Sequence, residues 1–211
     1  MGTADTATIP KGRNRKLVVV ANGPSQDGSV PVVVRNNKKR RVTNIEVQGT
    51  ARDAAGTVIG SGSSQGIEPA ALPPGGIGIG YVYFGFDDEQ RLADATFKFT
   101  VSAEKSSDAE RDYFVSVEVT EHNKVESLEF DFLQGEIVGI VRNPLDIEVT
   151  GPIGVLAACF DESGAPVLSS RGYTEVEDLQ PGAESPFSVD YFETPCPTYL
   201  VGASGFNESA L

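Results

Sequence analysis

Hydrophobic and polar residues alternate with a period of two, or form short apolar blocks, along nearly all of this chain. This pattern predicts β-strands, because successive side chains of a strand point to opposite faces of a sheet. Only residues 87–93 predict a helical turn. The predicted strands are 16–21, 30–36, 44–51, 56–63, 76–84, 95–103 and 112–121, followed by 127–133, 136–143, 153–160, 165–172, 185–192 and 198–204.

Turn-forming residues separate these runs, and the chain contains 23 glycines and 13 prolines. Many short strands divided by turns are typical of all-β sandwiches and not of helical folds. We therefore predict an all-β protein.

Short motifs recur once, in the same order, 106 to 108 positions later. The pairs are Val34-Arg35-Asn36 with Val141-Arg142-Asn143, Asp53-x-x-Gly56 with Asp161-x-x-Gly164, Ser63-Ser64-x-Gly66 with Ser169-Ser170-x-Gly172, Leu72-x-Pro74-Gly75 with Leu179-x-Pro181-Gly182, and Tyr83-Phe84 with Tyr191-Phe192. One diagonal of matches predicts two copies of one domain. We expect a flexible tail at 1–14, a first β-sandwich at 15–125 and a second at 126–211, joined near 122–127.

The repeated residues have the chemistry of turns. Aspartate at the start of a turn bonds forward to backbone, and glycine three residues later adopts a positive φ. Proline followed by glycine suits the two central positions of a second turn. The predicted structural residues are Asn36, Asp53, Gly56, Pro74 and Gly75 in the first copy, and Asn143, Asp161, Gly164, Pro181 and Gly182 in the second. Alternation also places Ile153, Val155, Ala157 and Cys159 on one inward face.

The order of these motifs resembles the FxLYD domain, an immunoglobulin-like β-sandwich of bacterial and archaeal extracellular and lipid-anchored proteins. In the second copy, Phe160 and Asp161 fit the motif that names the family, whereas only Asp53 fits in the first. The Asn143-Pro144 pair is shared with the late-embryogenesis-abundant type of β-sandwich, which is a close rival. The resemblance implies two tandem immunoglobulin-like domains and brings no catalytic residues.

In an immunoglobulin-like sandwich, the strand that ends at Cys159 and the strand after Cys196 are antiparallel neighbours. We therefore expect a disulfide between these two cysteines, which would indicate an extracytoplasmic location. A buried thiol and a separate loop thiol remain the alternative.

The net charge of −13 lies entirely in the second copy. From Val125 onward there are 15 acidic and 2 basic residues, whereas up to Lys124 the charges balance at 15 of each. An acidic domain repels phosphate, so we expect no nucleic-acid partner. The basic run at 38–41 is expected to be a solvated loop. No apolar run is long enough to span a membrane.

Motifs for catalysis are missing from the sequence. The single histidine, His122, is expected to be exposed at a strand end, with no nucleophile or carboxylate placed beside it. Asp87, Asp88 and Glu89 are weak candidates for a metal site, because calcium needs a shaped loop of six to eight oxygens. We expect no cofactor and no enzyme activity.

The predicted function is a non-enzymatic binding, adhesion or spacer module of a prokaryotic cell envelope. The alternative is an intracellular stress-protective sandwich of the late-embryogenesis type. The loose opening segment fits a signal or lipid-attachment segment upstream of Met1, but a cytosolic protein would look the same. Strand 198–204 is expected to be an open edge that pairs with a second copy or with a partner strand.

Overall fold

The protein is described by a computed structural model that covers residues 9–85, 89–106, 108–129, 132–192 and 194–210 and the backbone of Thr3–Ala4. Within these residues, the side chains of 89–90, 127–129 and 132–133 are not described. The strands are β1 (Thr3–Ala4), β2 (Leu17–Asn22), β3 (Ser29–Asn36), β4 (Val42–Arg52), β5 (Val58–Glu68), β6 (Ile77–Tyr83), β7 (Thr96–Lys105), β8 (Phe114–Glu129), β9 (Phe132–Arg142), β10 (Thr150–Phe160), β11 (Pro166–Thr174), β12 (Glu184–Phe192) and β13 (Thr198–Phe206).

The predicted all-β class is confirmed, and the strands form two sheets in two domains. The first domain has the strand order β2-β3-β6-β5-β4-β7. The second has the order β8-β9-β12-β11-β10-β13, with β1 added beside β13. The two orders are the same once each strand is matched to its repeat, as the recurring motifs predict. One helical turn, α1 (Glu89–Leu92), lies within the segment for which the sequence predicts one.

The second sheet closes on itself and is barrel-like. The first residues of β8 pair with β13, from Val117 with Ala203 to Phe114 with Phe206. The rest of β8 pairs with β9. In the first sheet, the matching strands β2 and β7 lie close to each other, but no hydrogen-bonded pairing joins them in the described part of the chain.

Because β8 belongs to the second sheet, the open edge lies in the first domain, where β2 and β7 end the sheet. Residues 112–121 were expected to end the first copy, but all the pairings of β8 lie within the second sheet. The expected division at residue 125 therefore falls inside a continuous strand. The prediction of an open edge at 198–204 is wrong, because β13 has β10 on one side and β8 and β1 on the other.

Of residues 127–133, predicted as one separate strand, 127–129 belong to β8 and 132–133 belong to β9. Leu128 faces Leu133 and Glu129 faces Phe132, so the end of β8 and the start of β9 form a hairpin. The period-two pattern continues through both arms of a hairpin, which is why the sequence alone did not separate them.

Each domain has its own apolar core, and a third cluster joins them. The inward side chains Ile153, Val155, Ala157 and Cys159 lie in the core of the second domain, as the alternation predicts. The opposite face of β10 is buried as well. Its residues Leu156, Ala158 and Phe160 pack with Leu200 against Val33 and Ile79 of the first domain. The outer face of one sheet thus covers the outer face of the other.

Candidate functional site

The repeated asparagines are fully buried and tie each loop to a distant turn. Asn36 Nδ2 donates to the carbonyls of Arg40 and Leu72, both at 2.9 Å. Asn143 Nδ2 donates to the carbonyls of Ile147 at 2.7 Å and Leu179 at 2.9 Å. Because both donors of each amide are used inside the protein, these residues have a structural role and offer no free group to a ligand.

The other repeated residues form tight turns. Asp53 Oδ1 accepts from the amide of Thr57 at 2.8 Å, and Asp161 Oδ1 accepts from the amide of Ala165 at 2.9 Å. Hydrogen bonds from the Ser163 hydroxyl and from backbone amides lower the pKa of Asp161 below its usual value. The glycines of all four turns have positive φ. Gly56 and Gly164 end the Asp-x-x-Gly turns, and Gly75 and Gly182 follow Pro74 and Pro181 in the Pro-Gly turns.

Cys159 and Cys196 form a disulfide that closes a loop across 37 positions. Cys159 lies on β10 opposite Tyr199 of β13, and Cys196 comes just before β13. Both cysteines are buried in the core of the second domain.

The metal candidates cannot be assembled into a site. Asp87 and Asp88 lie outside the described residues, and Glu89 begins α1 with a side chain that is not described. Elsewhere in the described chain, no group of three or more His, Cys, Asp or Glu residues could hold a metal ion.

His122 was expected at a strand end, but the structure places it elsewhere. It lies in the middle of β8, half-buried, and its Nδ1 is 2.9 Å from the hydroxyl of Tyr199. Burial lowers the pKa of this imidazole. Three polar side chains nearby on the same sheet already bond to one another. The Tyr191 hydroxyl donates to Glu126 at 2.7 Å, and Lys124 Nζ lies 3.0 Å from the same carboxylate.

The joint between the domains contains polar contacts in addition to its apolar cluster. The segment after β5 lies against β13 and β8, where the amide of Ala70 donates to the Ser204 hydroxyl at 2.7 Å. The amide of Ala71 donates to the Ser116 hydroxyl at 3.1 Å. A side chain at Gly202 would come within 2.6 Å of the backbone of Glu68, so glycine is required for this close approach.

A cavity of about 340 Å³ opens at this joint, between β5 of the first domain and β11 and β13 of the second. Glu68 and Arg171 line it from opposite domains, and Arg171 Nη2 is 3.6 Å from Glu68 Oε1. This separation is too long for a good hydrogen bond. A side chain at Gly66 or Gly154 would come within 3.0 Å of the guanidinium, so these glycines make the room that Arg171 occupies.

Glu68 is buried and Arg171 is half-buried, with 27% of its side chain exposed, and their hydrogen bonding is incomplete. Glu68 is 7% exposed, and neither its Oε2 nor Arg171 Nη2 has a hydrogen-bond partner. Five buried side-chain atoms lack a partner in the described part of the chain, and these two are the only ones from charged residues. Buried charged groups are normally fully bonded, so this arrangement needs an explanation.

Burial raises the pKa of Glu68 from 4.5 to about 7, and the Ser204 hydroxyl and the Arg171 charge oppose this shift. The carboxyl is thus close to half-protonated at neutral pH. When Glu68 is ionised, the positive charge of Arg171 balances it, and this form of the cavity has no net charge.

Aromatic rings stand at the edge of the cavity. Phe114 and Phe206 line it, with ring centroids 5.5 Å apart, and Tyr113 packs edge-on against Phe114 at 5.0 Å. Phe114 is 40% exposed, which is unusual for a large apolar side chain beside a polar cavity. The cavity therefore combines a buried acceptor, a buried donor and an apolar wall.

Sequence reasoning missed this site. Glu68 precedes Pro69, and Arg171 is the unmatched position of the repeated motif Ser169-Ser170-x-Gly172, so neither belongs to a motif that carries chemistry. Nothing local in the sequence brings the two together, because each comes from a different copy of the repeat. The one sequence signal is that Arg171 is one of only two basic residues in the second copy.

No family model matches the chain, and no curated protein matches it. A solved structure that is similar to it is the crystal structure of red sea bream transglutaminase, at 15% identity and a TM-score of 0.25. The alignment covers 92% of this chain and 29% of that one, so the chain spans less than a third of the solved protein. Among the described residues, no helix is long and apolar enough to cross a membrane.

Proposed function

We propose that the protein is a non-enzymatic, two-domain binding module of a prokaryotic cell envelope. The observation that carries the binding function is the cavity at the domain joint, where Glu68 Oε2 and Arg171 Nη2 are buried without partners. Concave sites with a few convergent polar groups and an apolar wall are typical of ligand sites. In this proposal each domain is an immunoglobulin-like sandwich of the FxLYD type.

The proposed location is extracytoplasmic. Its support is the disulfide between Cys159 and Cys196, because disulfides persist mainly in oxidising compartments. The same bond argues against the alternative, an intracellular stress-protective protein. A spacer role is compatible with the apolar cluster that packs the two domains together.

The absence of enzyme activity is part of the proposal. In the described chain, the only histidine bonds to a tyrosine hydroxyl. The Ser204 hydroxyl accepts from the Ala70 amide and bonds to the Glu68 carboxyl. The histidine that usually activates a serine nucleophile is not beside it, since His122 bonds to Tyr199.

Two measurements test the proposal. The first treats protein isolated from its own organism with an alkylating reagent, without reductant, and maps the thiols by mass spectrometry. Neither Cys159 nor Cys196 should be labelled, and labelling of both would reject the extracytoplasmic location.

The second measurement tests binding directly. The intact chain is mixed with purified, protein-free cell-wall polymer and sedimented. The protein should sediment with the polymer, and Glu68→Gln should remain largely in solution. If the wild type stays in solution with polymer from every envelope type tried, the binding function fails.

A further inference from the structure

The cavity at the domain joint also indicates which class of ligand it would accept. This inference rests on the proposed binding function and adds the chemistry of the ligand. Three features decide it: the two unpartnered buried atoms, the charge of the cavity, and the aromatic rings at its edge.

The two unpartnered atoms have opposite hydrogen-bonding roles. Glu68 Oε2 accepts when ionised, and Arg171 Nη2 can only donate. Both atoms are buried, but the Arg171 side chain is 27% exposed and lies within 3.6 Å of the Glu68 carboxyl. A small movement of the guanidinium would therefore let a single ligand group contact both atoms. A hydroxyl group suits this position, since it donates one hydrogen bond and accepts another.

The charges of the cavity favour a neutral ligand. When Glu68 is ionised, the carboxylate and the guanidinium balance each other, so an added cation or anion would be an uncompensated charge beside a carboxylate that is 7% exposed. Besides this pair, no other charged residue lines the cavity within the described chain. A neutral hydroxylated molecule loses less on leaving water, because its groups are bonded again inside.

The edge of the cavity favours a molecule with one apolar face. Phe114 keeps 40% of its surface exposed beside the cavity, and Phe206 lies next to it. The negative face of an aromatic ring attracts weakly positive C–H groups. A pyranose ring has such a C–H face together with several hydroxyls at its edge.

We propose that the cavity binds an uncharged sugar residue, with one hydroxyl held between Glu68 and Arg171 and the apolar face of the ring against Phe114. The ligand would supply hydrogen bonds to Glu68 Oε2 and Arg171 Nη2, the two atoms of this ion pair that have no hydrogen-bond partner in the protein. The cavity of about 340 Å³ is within the range of small-molecule sites.

The test is an NMR titration of the intact, ¹⁵N-labelled chain with D-glucose, D-mannose and N-acetyl-D-glucosamine. D-glucuronate and D-glucosamine serve as charged analogues, and acetamide serves as a neutral donor and acceptor that lacks a sugar ring. At least one neutral sugar should shift the amides of Gly66, Gly154 and Gly205, which line the cavity.

The variants separate the two parts of the site. Glu68→Gln and Phe114→Ala should each weaken sugar binding by about 10-fold or more, because each removes one half of the recognition. Phe192→Ala is the matched control, since Phe192 is an exposed aromatic residue that does not line this cavity, and it should bind as the wild type does.

Three results would overturn the inference. The first is that no neutral sugar shifts these amides at about 50 mM. The second is that acetamide or a charged analogue binds more tightly than the neutral sugars, and the third is that both variants bind as well as the wild type. If Glu68→Gln does not fold, Phe114→Ala and the wild-type shift pattern decide the outcome. Free thiols in the native protein would reject the location and leave this titration unaffected.

Discussion

The buried asparagines show at the scale of single residues how the repeat is maintained. Asn36 and Asn143 make the same two side-chain bonds, to a carbonyl four residues later and to the carbonyl of the leucine that precedes the Pro-Gly turn. The leucines, Leu72 and Leu179, are buried in the two cores. The motif therefore fixes a loop, a turn and a core residue at once.

Replacing either asparagine with alanine should destabilise its domain by about 2–4 kcal/mol, because it removes the buried side-chain hydrogen bonds that tie the loop to the turn. Asn36→Ala and Asn143→Ala should be similar, since their bonds correspond. Asn123→Ala, at an exposed position in β8, should change the free energy of unfolding by about 0.5 kcal/mol or less. Urea denaturation measures all three, and a neutral result at Asn36 or Asn143 contradicts the structural role.

Gly135 lies directly opposite Tyr191, whose ring covers it. A side chain at this position would come within 2.0 Å of the ring, which is also held by its bond to Glu126. Gly135→Ala should therefore lower the free energy of unfolding by about 1–3 kcal/mol. Gly60→Ala is the matched control in another strand, since its nearest neighbour would be 3.6 Å away. Equal thermal stability of the two variants would show that the ring moves freely.

Glu68 gives the protein a definite dependence on pH. Its pKa is about 7 when folded and 4.5 ordinarily, so the folded state binds the proton more tightly. Its contribution is thus greatest below pH 4.5 and falls as pH rises to 7. The free energy of unfolding of the wild type, relative to Glu68→Gln, should fall by about 3 kcal/mol between pH 4.5 and 8.

The comparison with Glu68→Gln isolates this group. The lowered pKa of His122 acts in the opposite direction, because its contribution to stability rises with pH until the unfolded value of 6.5 and is constant above it. This contribution is present in both proteins. A difference between the two proteins that stays constant over this pH range would show that folding does not raise the pKa of Glu68.

Sequence patterns predicted the strands well and their partners less well. The alternation on β4 and β10 and the Asp-x-x-Gly turns depend on neighbours within a few residues, so the chain itself specifies them. The sheet that a strand joins depends on distant pairing. Residues 112–121 read as a strand, but nothing in their own pattern distinguishes the first sheet from the second. For the same reason, the sequence did not predict that Glu68 pairs with Arg171.

The open edge of the first domain is the consequence of where β8 pairs. The inward residues of β13, Tyr199, Val201 and Ala203, are at most 4% exposed, whereas Phe97 and Phe99 at the matching positions of β7 are only half-buried. A groove of about 590 Å³ separates β7 from β2. The first barrel is therefore less completely sealed than the second.

Hydrogen exchange should detect this difference between matching strands. Amides of β7 should exchange at least about 10-fold faster than those of β13, since among the described residues β7 has a hydrogen-bonded neighbour on one side only. The central strands β4 and β10 are the internal control and should be protected alike. Equal protection of β7 and β13 by mass spectrometry would mean that the first sheet closes in solution.

The two domains should behave as one cooperative unit, because Phe160 and its neighbours bury a face of each sheet against the other. We expect a single urea transition, seen alike at NMR signals from both domains. Phe160→Ala should cost about 3–5 kcal/mol and raise hydrogen exchange in β3 and β6 of the first domain, although Phe160 belongs to the second. Phe187→Ala, an equal truncation inside the second core, should raise exchange mainly within its own sheet. Two separate transitions in the wild type would show that the joint is too weak to hold the cavity in one shape.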